Sequence, residues 1–175
     1  MSKLNYIKGD LFSHKSLASS ILAHACNCRG SWGAGVAAIF KKQFPSTYKL
    51  YVEHCKKHAS NPSGLLGSTY LIKSESSDPG NSGRENVAYV ACMFTSDAFG
   101  RRKNSADDIV ENTDKSMLHL ESQLAELAKT EPIEQQDGVN VVNMPKINAG
   151  LFNVPWEETE AVLKKHQVLI NVYVI

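Results

Sequence analysis

The stretch HACNCRGSWGAG, residues 24–35, packs a histidine, two cysteines, an asparagine, a tryptophan and three glycines into twelve positions. The run before it, SILAHAC (20–26), is apolar almost throughout, as expected for a strand covered on both faces. The run after it, AGVAAIFKKQF (34–44), follows the glycines with a helical pattern. A strand that ends in asparagine and passes through glycines into a helix lets the backbone approach a ligand closely, because glycine carries no Cβ to hold the ligand away.

Other chemistries fit the stretch less well. Structural zinc takes four ligands, usually as Cys-x-x-Cys pairs, whereas Cys26 and Cys28 are only two apart. Reduced thiols are the default in a chain with so few cysteines, so no disulfide between them is expected. His54 and His58 sit at i and i+4, but no acidic third ligand follows, and two surface histidines beside Cys55 is the plainer reading. No metal and no cofactor are expected. Gly30, Gly33 and Gly35 run G-x-x-G-x-G rather than G-x-G-x-x-G, and no acidic ribose partner stands about twenty residues on, which argues against a dinucleotide dehydrogenase.

Outward from this stretch, strands and helices alternate. LNYI (4–7), GSTYLIK (67–73), NVAYVACMF (86–94), VNVVNMP (139–145) and VLINVYVI (168–175) read as further strands. PSTYKLYVEHCKKHA carries Tyr48, Tyr51, Val52, Cys55 and Ala59 on one helical stripe behind Pro45. SADDIVENTDKSMLHLESQLAELAK places Ile109, Thr113, Met117, Leu120, Leu124 and Leu127 at helical spacing, and PWEETEAVLKKH opens on proline and two glutamates. The result is an α/β fold, a sheet of about six strands between helices. SESSDPGNSGREN (74–86) and TEPIEQQDG (130–138) read as surface loops, so residues 1–175 are expected to form a single domain.

The bulk properties narrow the function. Nineteen basic and eighteen acidic residues leave a net charge of +1, which advertises neither a nucleic-acid nor a membrane surface. No secretory leader or bilayer-length apolar run is evident, and four cysteines are few, so an intracellular protein, cytoplasmic or nuclear, with reduced thiols is expected. A monomer is expected.

A second stretch repeats the logic of the first. VVNMPKINAGLFNVPWEETEAVL is an apolar strand, a loop holding Asn148 and Gly150, and a helix starting at Pro155 or Trp156. Ligands of α/β sheets sit beyond the carboxyl ends of strands, so the two loops could share one crevice. Backbone N–H groups of residues 148–152 could cradle a diphosphate without a lysine. Glu157 and Glu158 already use the dipole of the following helix, so the anion belongs to the loop.

KGD (8–10), HACNCRGSWGAGVAAIF (24–40) and MPKINAGLFNVPWEE (144–158), in this order, resemble the macro domain, an ADP-ribose-binding module, and the resemblance covers nearly the whole chain. It implies a three-layer α/β/α fold with a mostly mixed sheet. More narrowly, HACNCRGSWGAG, FTS (94–96) and INAGLFNVPWEETE resemble the fungal branch that removes the phosphate from ADP-ribose 1''-phosphate, a by-product of tRNA splicing. That resemblance implies a metal-independent phosphatase whose partners are small-molecule ADP-ribose derivatives.

Position by position, the resemblance implies that Asp10, beside Leu11, accepts from the adenine amine and that Asn27 bonds the distal ribose. Gly33, Ala34, Gly35 and Val36 would wrap that ribose and its 1'' substituent. Many macro domains carry three consecutive glycines here, and the methyl of Ala34 is tolerable only at negative φ. Asn148, Ala149, Gly150 and Leu151 would line the diphosphate, with Phe152 over the distal sugar. The plainer alternatives are a turn cap for Asp10, a turn former for Asn27 and a core aromatic for Phe152.

Catalysis needs in-line attack and protonation of the leaving oxygen. His24 is the group suited to proton transfer near neutral pH, although strand alternation pairs it with Cys26 and sets Ala25 and Asn27 on the other face. Only a bulge, or a strand end between them, brings His24 and Asn27 together. Asp97, in FTSDAFG, is the second candidate, able to orient water or relay a proton. A non-catalytic ADP-ribose reader and a hydrolase of ADP-ribosylated side chains would carry similar loops.

Overall fold

The computed structural model describes residues 3–175; Met1 and Ser2 of the expected domain lie outside the described residues. Seven strands appear in chain order: β1 (Lys3–Lys8), β2 (Ile21–Asn27), β3 (Thr69–Lys73), β4 (Tyr89–Ser96), β5 (Gln135–Gln136), β6 (Val139–Met144) and β7 (Leu169–Val174). Four helices accompany them: α1 (Gly35–Gln43), α2 (Pro45–Lys57), α3 (Ala106–Leu127) and α4 (Trp156–Leu163). The sheet runs β1-β7-β6-β2-β4-β3, with β5 paired to β6. Its pairs are parallel except β3 on β4 and β5 on β6, which makes it mixed.

The six strands read from apolar runs are all present. The seventh, β5, is two glutamines inside the 130–138 linker, with no apolar run to announce it.

Period-two alternation sorts the core into two layers. Ile21, Ala23, Tyr89, Ala91 and Met93 face Met117, Leu120 and Leu124 of α3 and Trp156 and Leu163 of α4. Leu22, Cys26, Val90, Cys92 and Phe94 face Phe40 of α1 and Tyr51 and Cys55 of α2. Each large side chain buried this way contributes about 1.5–3 kcal/mol relative to exposure. The helices begin where their sequences say they should. Pro45 occupies the first turn of α2. Ser105 caps α3 by accepting from the Asp108 N–H at 3.2 Å, with Asp107 and Asp108 in the first turn. Ala59, placed on the α2 stripe by sequence, lies beyond the end of that helix and is exposed.

Both supposed surface loops are partly built into the fold. In 74–86, Ser74, Asp78 and Asn81 are buried, and Asp78 accepts from the Ser46 N–H at 3.1 Å at the start of α2. Arg84 of the same loop donates to the main-chain oxygens of His14 at 2.6 Å and Phe12 at 3.2 Å. In 130–138, Ile133 joins the core, and Glu134 pairs with His14 at 2.9 Å. Among the described residues no helix is long and apolar enough to cross a membrane.

Candidate active site

The site forms where β2 ends. Pairing of β2 with β4 shifts register between Cys26 and Asn27, so the alternation stops one residue before the asparagine. Cys26 and Cys28 lie on the same side, as residues two apart on a strand do; both join the cluster that holds Cys55 and Cys92, and all four thiols are free and buried. Burial pushes the Cys26 thiol well above its ordinary range, Cys28 to about 12 and Cys55 to about 11.

Asn27 then organises the turn. Its Oδ1 accepts from the Arg29 N–H at 2.9 Å, its Nδ2 donates to the Ser31 oxygen at 2.8 Å, and the Tyr51 hydroxyl donates to its main-chain oxygen at 2.7 Å. Gly30 turns the chain at φ 77°. Ala34 is extended at φ −152°, the negative value its methyl requires, and Gly35 takes the left-handed φ of 62°. Helix α1 therefore starts with no side-chain cap and no acidic residue in its first turn, which leaves the N–H groups of Gly35, Val36 and Ala37 directed outward.

Opposite lies the loop after β6. Asn148 has φ 66°, and its side chain is turned into the protein. Its Oδ1 accepts from Thr95 at 2.9 Å, and its Nδ2 donates to Thr113 at 2.9 Å and Thr159 at 3.3 Å. Three threonines on β4, α3 and α4 thus hold one asparagine. The loop closes by bonds from the Asn153 N–H to the Gly150 oxygen and from the Val154 N–H to the Asn148 oxygen, each 2.9 Å. The N–H groups of Gly150, Leu151 and Phe152 have no hydrogen-bond partner among the described residues.

The two loops wall one cavity of about 490 Å³. Ala25, Cys26, Asn27, Ser31, Trp32 and residues 33–37 line one side; Pro145, Lys146, Ile147, Asn148, Gly150, Leu151 and Phe152 line the other, and Phe99 stands at its mouth, half exposed. The structure therefore brings Asn27, Gly33, Ala34, Gly35, Val36, Asn148, Gly150, Leu151 and Phe152 to one place. Asn148 takes part through its main chain, since its side chain is spent on the threonines. Phe152 is 8% exposed and packs with Ile109 and Val154, whereas the Leu151 side chain lies in the open at the cavity rim.

Five expected residues do not line this cavity. Ala149 is half buried between its neighbours. Asp10 accepts from the Phe12 N–H at 3.0 Å, the turn-capping geometry, with Leu11 buried behind it. His24 is fully buried, stacked on Phe40 at 4.0 Å and edge-on to Trp32 at 4.7 Å, with the Cys26 sulfur 3.5 Å from its Nε2. Its ring belongs to the aromatic core under α1, because residues 22, 24 and 26 share the buried face. Asp97 sits beside the turn, where its main-chain oxygen accepts from the Cys28 N–H at 2.9 Å and its carboxylate pairs with Arg29 at 3.0 Å.

Sequence reasoning passed over Ser31, Trp32, Lys146 and Phe99, all of which line the cavity. Lys146 lies within the quoted MPKINAGL run, and its charge beside a supposed anion loop was the available signal. Among the described residues, His24, Cys26 and Cys92 could offer a metal one ligand atom each, all within 4.8 Å and all buried. That soft, sulfur-rich set is not the carboxylate arrangement that two-metal phosphoryl transfer uses. His54, with His58 4.8 Å away, stacks on Tyr70 at 4.3 Å, and burial lowers its pKa.

Residues 23–163 match the model of the macro domain family. The ADP-ribose 1''-phosphate phosphatase of Meyerozyma guilliermondii is 99% identical over 175 residues, covering all of both chains. That of Debaryomyces hansenii is 57% identical over 98% of this chain and 99% of its own. Among solved structures, the macrodomain of Mycobacterium tuberculosis DarG superposes with a TM-score of 0.70 at 19% identity, covering 100% of this chain and 99% of that one, a likeness of fold alone.

Proposed function

This chain belongs to the macro domain family, and from that premise we propose that it is a phosphatase removing the 1''-phosphate from ADP-ribose 1''-phosphate to leave ADP-ribose. One observation carries the reading: the uncapped start of α1 and residues 150–152, whose N–H groups are unpaired among the described residues, line a single cavity. Two sets of fixed donors suit a ligand with phosphate at two places, a diphosphate and a terminal monoester. The positive end of α1 takes the monoester. The 148–152 loop takes the diphosphate, with Lys146 beside it.

In this reading water attacks the phosphorus, the bond to the anomeric oxygen breaks, and that oxygen leaves carrying a proton, so that ADP-ribose and inorganic phosphate result. A hemiacetal oxygen is less basic than an ordinary alkoxide, and modest proton assistance suffices. Asp97 lies outside the lining of the cavity, and we assign it to holding the turn after β2, through the Cys28 N–H and Arg29. The Asn104 Oδ1 accepts its N–H at 2.6 Å, and Arg29 clamps its side chain, so its position is set by groups on both sides. His24 acts through packing, holding the floor beneath Cys26 and Asn27. Asp10, with one carboxylate oxygen on the Phe12 N–H, keeps its second for an adenine amine.

Phosphate release from ADP-ribose 1''-phosphate in the presence of a chelator tests the proposal. Release is expected with chelator present, and faster than release of ADP-ribose from a glutamate conjugate. No release, with ADP-ribose still bound, would make the protein a reader of ADP-ribose instead.

A further inference from the structure

Trp32 is 2% exposed, and its indole N–H has no hydrogen-bond partner among the described residues. The second tryptophan, Trp156, donates its N–H to the Tyr6 hydroxyl at 2.8 Å. An indole N–H is a donor only and cannot rotate to find an acceptor as a hydroxyl can. The Trp32 ring is also held fast, stacked on Tyr51 at 4.8 Å and edge-on to His24 at 4.7 Å. A phenylalanine would fill much of this place without burying a donor, and buried donors are ordinarily paired. The ring lines the cavity three residues before the uncapped start of α1 at Gly35.

We propose that the Trp32 indole N–H donates to an oxygen of the substrate's 1''-phosphate and so discriminates substrate from product. This rests on the phosphatase reading above. The phosphate supplies the acceptor that the protein does not. Hydrolysis removes it, the donor is orphaned again, and ADP-ribose is held less tightly than the substrate was. The rival use of the N–H is a contact with the face of the His24 ring, which lies edge-on to the indole.

The two indole N–H resonances of the ¹⁵N-labelled protein read this directly, with Trp156 as the internal control and Trp32→Phe as the assignment. Inorganic phosphate added to the ADP-ribose complex is expected to move the Trp32 resonance downfield and leave Trp156 in place. Trp32→Phe is expected to lower kcat/KM for ADP-ribose 1''-phosphate about tenfold while changing the Kd of ADP-ribose less than about threefold. A Trp32 resonance unmoved by phosphate, or an equal loss for both ligands, would overturn the proposal. If the wild-type protein turns over the substrate and Trp32→Phe does so equally well, this inference alone fails. If the wild-type protein does not turn it over, the phosphatase reading fails and this proposal with it.

Discussion

The Leu151 side chain stands over Gly35, so that a Cβ placed on the glycine would lie 3.7 Å from Leu151 Cδ1. The two loops of the cavity meet there, one through a residue that is all backbone and the other through an exposed side chain. The space would admit a methyl group; the backbone conformation is what resists it, since Gly35 has φ 62°. Gly35→Ala is therefore expected to cost about 1–2 kcal/mol, lowering Tm by roughly 2–8 °C, and to weaken ADP-ribose binding. Ala34→Gly, at an extended position, is expected to cost no more than about 1 kcal/mol. Thermal melts with and without ADP-ribose compare the two, and equal losses would show that the left-handed turn is not what matters.

Asn148 should prove to be a structural support for the loop. Asn148→Ala strands the Thr95 hydroxyl and puts alanine at φ 66°, for an expected loss of about 3 kcal/mol. Asn148→Gly loses the same hydrogen bonds without the backbone strain and should recover about 1 kcal/mol of that. Urea unfolding of both variants measures the difference.

His24→Ala removes a ring stacked on Phe40 from a fully buried position and should destabilise the protein by about 2–4 kcal/mol. Turnover and ADP-ribose affinity should fall together, because Cys26 and Asn27 lose their support. A large fall in kcat with unchanged ADP-ribose Kd would mean that His24 moves a proton itself.

Asp97→Asn keeps the shape and removes the charge. The ion pair with Arg29 is partly exposed and worth little, so Tm should stay within a few degrees. Because Asp97 lies outside the cavity and holds the turn, kcat and ADP-ribose Kd should each change by no more than a few-fold. A fall in kcat of about a hundredfold with ADP-ribose Kd unchanged would show instead that the carboxylate orders the attacking water.

Stability should decline in alkaline solution. Cys28 and Cys55 keep their protons to about 12 and about 11 in the folded protein, because burial disfavours the thiolate, whereas an exposed thiol ionises from about 9. Between these values the unfolded chain releases protons that the folded one retains, so folding free energy is lost as pH rises through the window and is fully present below it. Each thiol contributes up to about 1.4 kcal/mol per pH unit there. Urea midpoints compared near pH 7 and above pH 9 should fall in the wild-type protein and fall less when Cys28 and Cys55 are both serine.

Much of the architecture lies in local pattern. Alternating apolar residues in β2 and β4 set which side chains face which helices, and Pro45, Ser105 and the glutamates after Trp156 mark helix starts, because these signals act over a few residues. Glycines beyond β2 and β6 marked both cavity walls for the same reason. The two glutamines of β5 carry no such pattern, and their pairing depends on β6 lying alongside.

What local pattern could not carry was the direction in which particular side chains turn. Local pattern left open whether a bulge brings His24 to Asn27; the register shift after Cys26, which arises from pairing with β4 some seventy residues away in sequence, does not, and His24 stays in the aromatic core while Asn27 lines the cavity. Asn148 reads in sequence as one more loop asparagine; it is a buried junction because Thr95, Thr113 and Thr159 arrive from three separate elements. Trp32 likewise reads as a bulky residue between glycines, and only the rings packed around it leave its N–H without a partner on the cavity wall. Periodicity assigns a residue to a face of its own element, whereas the partner it meets there depends on chain segments folded against it from far along the sequence.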